Sequence, residues 1–346
     1  MSDAYTAWWI DDELNSREAA DVLDEQSDRI TVDDFPPKEA LDRCGFRDDE
    51  DAETTGDLDP GSEPDMVLID WKLNRRSDFT GRGTSMLGIV RDHYGKIPIY
   101  GFSAEPDNVN TERFLRVFDL RRDLTAQGAA EDLIEDIEDF GEINGVADDG
   151  LDGLIHTLDP PTDQDEELKP IIPRELTNGL SNHNDGEVAG LHQFTEWVWK
   201  RFLQRPGLLL DDLWAATKLG LTKQAFVDAK PCLREAVDGE IKYTGVLSPS
   251  TDRWWKSQVI QALINIGEEE GGDGRFDRTW KKGAELFAES KDEIARCEKC
   301  GEILPETVAA PSPNSNLMES VHYRCSEIHH SREGAFADFR IFEQGD

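Results

Sequence analysis

Lysine, cysteine and long apolar runs are all scarce in this 346-residue chain. No apolar run comes near the roughly 20 residues that a membrane-crossing helix needs. No basic segment followed by an apolar core opens the sequence either. Membrane helices and a cleaved export leader are therefore not expected, and the expected compartment is the cytoplasm. Five cysteines are present, an odd number. Cys44 and Cys232 stand alone and read as small buried or half-buried residues, whereas Cys297, Cys300 and Cys325 fall together near the end. In a cytoplasmic chain that clustering favours a metal site over disulfides. The 14 lysines and 23 arginines face 74 Asp plus Glu, for a formal net charge of −37.

Acidity spread along the whole chain, with so little lysine, is the surface expected of a cytoplasmic protein from an extreme halophile. There a dense layer of carboxylates keeps the protein hydrated while salt screens its self-repulsion. Such acidity does not exclude nucleic-acid binding, because high salt weakens the phosphate contribution for every binder. No Ser/His/Asp or Cys/His arrangement suited to nucleophilic catalysis is legible, and His183 and His192 are isolated. An enzymatic role is not expected.

What is present is a series of strand-like runs that end on polar residues. Met66-Val-Leu-Ile runs straight into Asp70, as a buried parallel strand would. Tyr5 to Ile10 delivers Asp11-Asp12-Glu13, and Ile97 to Phe102 delivers Ser103-Ala104. In open α/β sheets, ligands collect at the C-terminal ends of strands. Between these runs the spacing predicts helices. Ala19, Val22 and Leu23 make one short apolar face within Asn15 to Asp28. Arg29 to Phe35 is a second strand, and Pro36-Pro37 starts a brief helix over 38–44. Residues 46–64 are acidic and read as a surface insertion. Thr84 or Ser85 opens a helix marked by Leu87, Val90 and Tyr94. Asn108 to Val117 is a weak fourth helix, Phe118 to Leu120 a short fifth strand, and Leu133, Ile134, Ile137 and Phe140 mark a last helix. This alternation predicts an α/β fold with a doubly wound, five-stranded parallel sheet.

With an acidic pair after strand 1, an aspartate after strand 3 and a hydroxyl after strand 4, residues 1–142 resemble the receiver domain of response regulators. The resemblance implies phosphorelay signalling of the two-component kind. Asp70 would accept a phosphoryl group from a histidine kinase or another donor. Mg²⁺ would be held by Asp11, Asp12, Asp70 and the backbone carbonyl of Lys72, and Ser103 would be the switch hydroxyl. The family also places a lysine, usually before a proline, at the end of strand 5. Here the matching stretch is Phe118-Asp-Leu-Arg-Arg-Asp-Leu124, with neither. Arg121 or Arg122 could supply the charge, but a forked guanidinium is not equivalent to an ammonium.

Residues 143–186 read as a Gly-, Asp- and Pro-rich linker with one short strand over 169–172. Residues 187–290 read as a helical domain. Val188, Leu191, Phe194, Trp197, Val198 and Phe202 step at helical spacing, and Leu208 to Lys218 follows as a second helix. Ala215 to Thr222, with Gly220 and a Thr cap, resembles the turn of a helix-turn-helix. Arg253-Trp-Trp-Lys-Ser257 opens a further helix with its tryptophans in the core, and Trp280, Ala284 and Phe287 mark the last. In residues 291–346, Cys297-Glu-Lys-Cys300-Gly301 has the form of a zinc-ribbon knuckle, and Val321 to Cys325 reads as a strand entering a second. Three thiolates and one imidazole would complete a closed, structural Zn²⁺ site, with His329 the favoured fourth ligand and His322 its rival. The chain as a whole is expected to be a regulator whose receiver switches a helical and zinc-ribbon output. A degenerate receiver serving as an interaction scaffold, and a DNA-binding transcription regulator, are the alternatives.

Overall fold

A computed structural model describes residues 4–12, 17–45, 63–73, 82–106, 114–146, 149–161, 164–173, 176, 186–204, 207–237, 239–248, 251–269, 279–303, 307–311, 318–322 and 325. The chain divides into two compact units. The first is Met1–Thr157 with Ile172–Glu196, and the second is Leu158–Ile171 with Trp197–Asp346.

The first unit holds β1 (Tyr5–Ile10), α1 (Arg17–Asp24), β2 (Ile30–Phe35), α2 (Pro37–Arg43), β3 (Met66–Asp70), α3 (Gly83–His93), β4 (Ile99–Ser103), β5 (Val117–Asp119), α4 (Ala129–Gly145) and α5 (Gly150–His156). The strands form one parallel sheet in the order β2-β1-β3-β4-β5. β3 and β4 are buried at every position, which is why they read as unbroken apolar runs. Side chains alternate between the two faces. Trp8, Ile10, Val67 and Ile69 pack with Ala40, Met86, Leu87 and Val90 on the face that carries α2 and α3. Arg43 lies over the rings of Trp8 and Phe35 and closes that face. Right-handed crossovers put α1 on the opposite face, beside α4.

Several boundaries depart from the sequence reading. In α1 the buried residues are Ala19, Ala20 and Leu23, while Val22 is 40% exposed, so the apolar face is turned by one position. α3 starts at Gly83 without a side-chain cap, because the chain must pass close to β3 where no side chain fits. Val117 belongs to β5 and not to a helix. Most of the expected fourth helix (residues 107–113) and most of the acidic insertion (46–62) lie outside the described residues. The stretch read as a linker holds helical segments among its described residues. α4 runs on to Gly145, α5 follows, and α6 spans Asp165–Leu168. Lys169 to Ile172 is a turn and not a strand, with the Ile171 N–H donating to Leu168 O; Pro170 has no N–H to give a ladder. α7 (Gly186–Trp197) brings His192 against Phe140. Burial, with Arg91 adding to it, lowers the His192 pKa to about 4, as for a packed neutral histidine. His183 lies outside the described residues.

The second unit continues from α7 through a π-helical turn, Val198–Phe202. It holds α6, β6 (Leu209–Leu210), α8 (Asp212–Lys218), α9 (Lys223–Glu235), β7 (Trp254–Trp255), α10 (Lys256–Glu269), α11 (Thr279–Phe287), β8 (Thr307–Pro311) and β9 (Met318–His322). The helix expected from Leu208 begins only at Asp212. Asp211 caps it by accepting from Trp214 N, and Leu209-Leu210 are drawn into antiparallel pairing with Trp255-Trp254. For the same reason the helix expected from Arg253 begins at Lys256. Both tryptophans are fully buried, in the core as expected. Leu210, Trp214, Phe226, Leu233, Trp254 and Leu263 form that core, and Cys297 and Val321 join it. Cys232 is exposed, not buried, because it lies on the outer face of α9. Among the described residues, no helix is long and apolar enough to cross a membrane.

Candidate functional site

The order of the parallel sheet reverses between β1 and β3. The connections leaving their C-terminal ends diverge there and open a crevice, the place where ligands bind in open α/β sheets. Into it β1 delivers Asp11 and Asp12, and β3 delivers Asp70. One carboxylate oxygen of each lies within 4.8 Å of the others. The crevice is a cleft of about 550 Å³, lined further by Ser103, Lys72, Glu105 and Arg121, with Phe102, Ala19 and Val22 as apolar wall. Three carboxylates so close repel one another unless a cation sits among them. An all-oxygen donor set fits a hard divalent ion such as Mg²⁺, which takes one or two carboxylates, keeps waters and sits beside phosphate.

The flanking groups are held by local structure. Ser103, the last residue of β4, is 1% exposed and its hydroxyl accepts from the Glu105 N–H at 3.1 Å. Asp70 is 8% exposed. Lys72 Nζ and Glu105 Oε2 pair at 2.7 Å across the cleft mouth, where a half-exposed ion pair adds little stability. The sequence reading used only the Lys72 carbonyl and overlooked its ammonium and Glu105. Each lies two positions beyond a strand-end residue already singled out, in the turn after β3 and the bend after β4. At the end of β5, Asp119 accepts from the N–H groups of Arg121 and Arg122. Arg122 pairs with Asp123 and is largely exposed, whereas Arg121 lines the cleft. Of the two arginines, Arg121 is the one placed to meet an anion there.

A second cluster lies in the other unit. Sulfur atoms of Cys297, Cys300 and Cys325 also lie within 4.8 Å of one another. Gly301, at φ +73°, turns the chain so that its N–H donates to Cys297 O at 2.7 Å. That tight turn presents two sulfurs to one point. Cys297 is 1% exposed and belongs to the helical core, while Cys300 is exposed. Three soft donors suit Zn²⁺. His322 ends β9, opposite Thr307, three positions before Cys325. His329 and His330 lie outside the described residues.

Fold and site together define an α/β unit with a parallel five-stranded sheet and a three-aspartate cluster at its switch point, joined to a helical unit with a three-cysteine cluster. No family model and no curated protein matches the chain. One solved structure that does match is a fusion carrying the yeast Spc42 trimeric coiled coil, amino acids 181–211. It shares 16% identity over 53% of this chain and 100% of that chain, with a TM-score of 0.29.

Proposed function

We propose that this chain is a phosphorelay regulator of the receiver type, with Asp70 as phosphoacceptor. The observation that carries the reading is the meeting of Asp11, Asp12 and Asp70 at the sheet's switch point, in one cleft with Ser103. An Asp70 carboxylate oxygen attacks the phosphorus of a histidine-kinase phosphoimidazole or a small phosphoryl donor. A P–O bond forms to Asp70 as the donor's bond to phosphorus breaks, and the departing nitrogen takes a proton from solvent. Asp11, Asp12 and Asp70, with the Lys72 carbonyl, would hold a divalent cation, which would supply neutralisation of the charge on the transferring group. Ser103 then donates its hydroxyl hydrogen to a phosphoryl oxygen, and Arg121 supplies the positive charge usually given by a lysine. Drawing Ser103 inward moves the loop that follows it, and this movement is the signal. The three-cysteine cluster is a structural Zn²⁺ site, closed by His329 or His322, in the output region. The protein works in the cytoplasm.

A second reading, an interaction scaffold that no longer takes phosphate, is favoured by one feature: the strand-5 end carries Asp119 in place of a lysine. Intact-protein mass after incubation with Mg²⁺ and phosphoramidate in high salt separates the two. One added phosphoryl group in the wild type, absent in Asp70→Asn, is the expected result. A folded, Mg²⁺-binding wild type that gains no mass would overturn the phosphoacceptor reading in favour of the scaffold.

A further inference from the structure

The five thiols of this chain sit in three different settings. Cys44 is 4% exposed in the first unit, and burial pushes its pKa up to about 11. Such a thiol is shielded and stays protonated, so it is inert. Cys232 is exposed on α9 and stands outside the cysteine cluster. Cys297, Cys300 and Cys325 stand together, each sulfur within 4.8 Å of the others. Access within the cluster is uneven. Cys297 is 1% exposed, Cys325 is partly buried and Cys300 is exposed.

We propose that Cys300 and Cys325 form a reversible disulfide when a hydroperoxide reaches the cluster, and that Zn²⁺ held there is lost as they do. The disulfide itself needs no metal. Loss of Zn²⁺ as its consequence rests on the structural Zn²⁺ reading above.

Oxidation of a cysteine needs an accessible sulfur in its thiolate form. Cys300 supplies the access, and a sulfur that ligates a metal is already deprotonated. Its Sγ attacks the outer oxygen of the hydroperoxide. An S–O bond forms, the O–O bond breaks, and the departing alkoxide takes a proton from solvent and leaves as the alcohol. Cys300 is then a sulfenic acid. Cys325 Sγ attacks the sulfenic sulfur. The S–S bond forms, the S–O bond breaks, and the hydroxide takes up a proton and leaves as water. Two cysteines have lost two electrons between them, and the hydroperoxide has become an alcohol and a water.

The surroundings select Cys325 for the second step. Closing the bond draws two sulfurs to about 2.05 Å apart, so at least one of them must move. Cys297 is set into the helical core, and the chain leading to it is fixed by pairing with the turn before α9. There the Thr222 N–H donates to Glu293 O at 2.7 Å and the Ala295 N–H to Gly220 O at 2.9 Å, with an antiparallel bridge from Leu221 to Ile294. Cys325 is only partly buried against that core. A sulfenic acid with a second sulfur in reach closes a disulfide, the transient kind found in reducing compartments. The bond withdraws two of the three sulfurs. Cys297 with one imidazole leaves two donors, too few for a four-coordinate Zn²⁺ site. β8 and β9, which lie against α8, then lose the staple that a metal makes between Cys325 and Cys297.

The test uses the full chain, purified with reductant, desalted without oxygen, analysed for metal and then treated with hydrogen peroxide in high salt. Expected are a mass loss of about 2 Da, a non-reducing peptide map joining Cys300 to Cys325, and Zn²⁺ appearing on a metallochromic chelator in step with the disulfide. Dithiothreitol with added Zn²⁺ should restore both mass and metal. Cys300→Ser should slow disulfide formation by roughly tenfold or more. Cys325→Ser should stop at a sulfenic acid that dimedone labels, and Cys232→Ser should oxidise as the wild type does. A folded, Zn²⁺-loaded wild type that keeps all five thiols and its metal would overturn the proposal and leave the Zn²⁺ reading standing. A disulfide formed in a chain that carries no metal would uphold the redox pair and sink the Zn²⁺ reading. First oxidation at Cys232, a bridge from Cys297 to Cys300, or a folded Cys300→Ser variant as fast as the wild type would each overturn the proposal.

Discussion

Gly83, the first residue of α3, lies directly against the main-chain carbonyl of Asp70. A Cβ at that position would overlap the carbonyl oxygen and stand 3.0 Å from Cα of Trp71. The helix start is thus clamped onto the strand end that carries the candidate phosphoacceptor. Gly83→Ala must push backbone against backbone, and overpacking of this kind costs about 1–3 kcal/mol. The expected outcome is a lower urea midpoint together with weakened Mg²⁺ binding. Gly88, exposed in the same helix with nothing within 4 Å of its would-be Cβ, is the control. Gly88→Ala should stabilise by up to about 1 kcal/mol. If the two substitutions behave alike, the clamp is not the reason for glycine at 83.

The acidic cluster predicts a cation-dependent stability. Binding to the folded state alone adds about 2.7 kcal/mol at a ligand concentration a hundred times the dissociation constant, so above that constant the Tm should keep climbing with the logarithm of Mg²⁺ concentration. Asp11→Asn and Asp12→Asn each remove one negative donor, and each should weaken binding on the order of tenfold or more. Isothermal calorimetry reads this directly. An unchanged binding heat in the Asp11→Asn, Asp70→Asn double variant would place the ion elsewhere.

Much of this site was legible because it depends on strand ends. A buried parallel strand is an unbroken apolar run, so Met66 to Ile69 announced both the strand and the residue that follows it. Asp11, Asp12 and Ser103 were found in the same way. Long-range pairing left weaker marks. Leu209-Leu210 and Trp254-Trp255 read as helix because helical spacing continued through them, and only their pairing across more than forty intervening residues made them strands. The Lys72–Glu105 pair was missed because neither residue belongs to an element; two loops bring them together. The helices at 150–156 and 165–168 were obscured by the Gly and Pro residues around them.

The three-cysteine cluster predicts a difference between two chemically identical substitutions. Cys297 is buried in the helical core, so Cys297→Ser loses packing as well as any metal bond. Cys300 is exposed, so Cys300→Ser loses almost no packing. If the cluster binds Zn²⁺, metal analysis should find one ion per chain and the two variants should lose it alike. A chelator should then lower the Tm of the wild type, because metal-binding energy in such sites is folding energy. If Cys300→Ser melts like the wild type, the cysteines carry no structural ion.

Asp136 makes a prediction about pH. Its carboxyl sits in the first unit, where it accepts from the Tyr100 hydroxyl, with Arg116 Nη1 3.8 Å away. Burial raises its pKa from 3.8 to about 7; Arg116 and the Tyr100 bond pull it down, and Asp139 and Glu135 push it up. An acid whose pKa is higher folded than unfolded holds its proton more tightly in the folded state. Its favourable contribution is therefore complete below pH 3.8 and drains away as pH rises to about 7. Within that window the loss approaches about 1.4 kcal/mol per pH unit. Other carboxylates titrate in the same range, so the wild-type curve alone does not isolate it. Asp136→Asn keeps the shape and an acceptor for Tyr100 but carries no titrating proton. The difference between wild type and variant, from urea unfolding at constant ionic strength, should fall steadily from pH 4 to pH 7 and be flat above. The variant should be the more stable at pH 8. A difference curve without slope across that window would mean that Arg116 holds the carboxylate ionised throughout, and that the pair is an ordinary buried salt bridge.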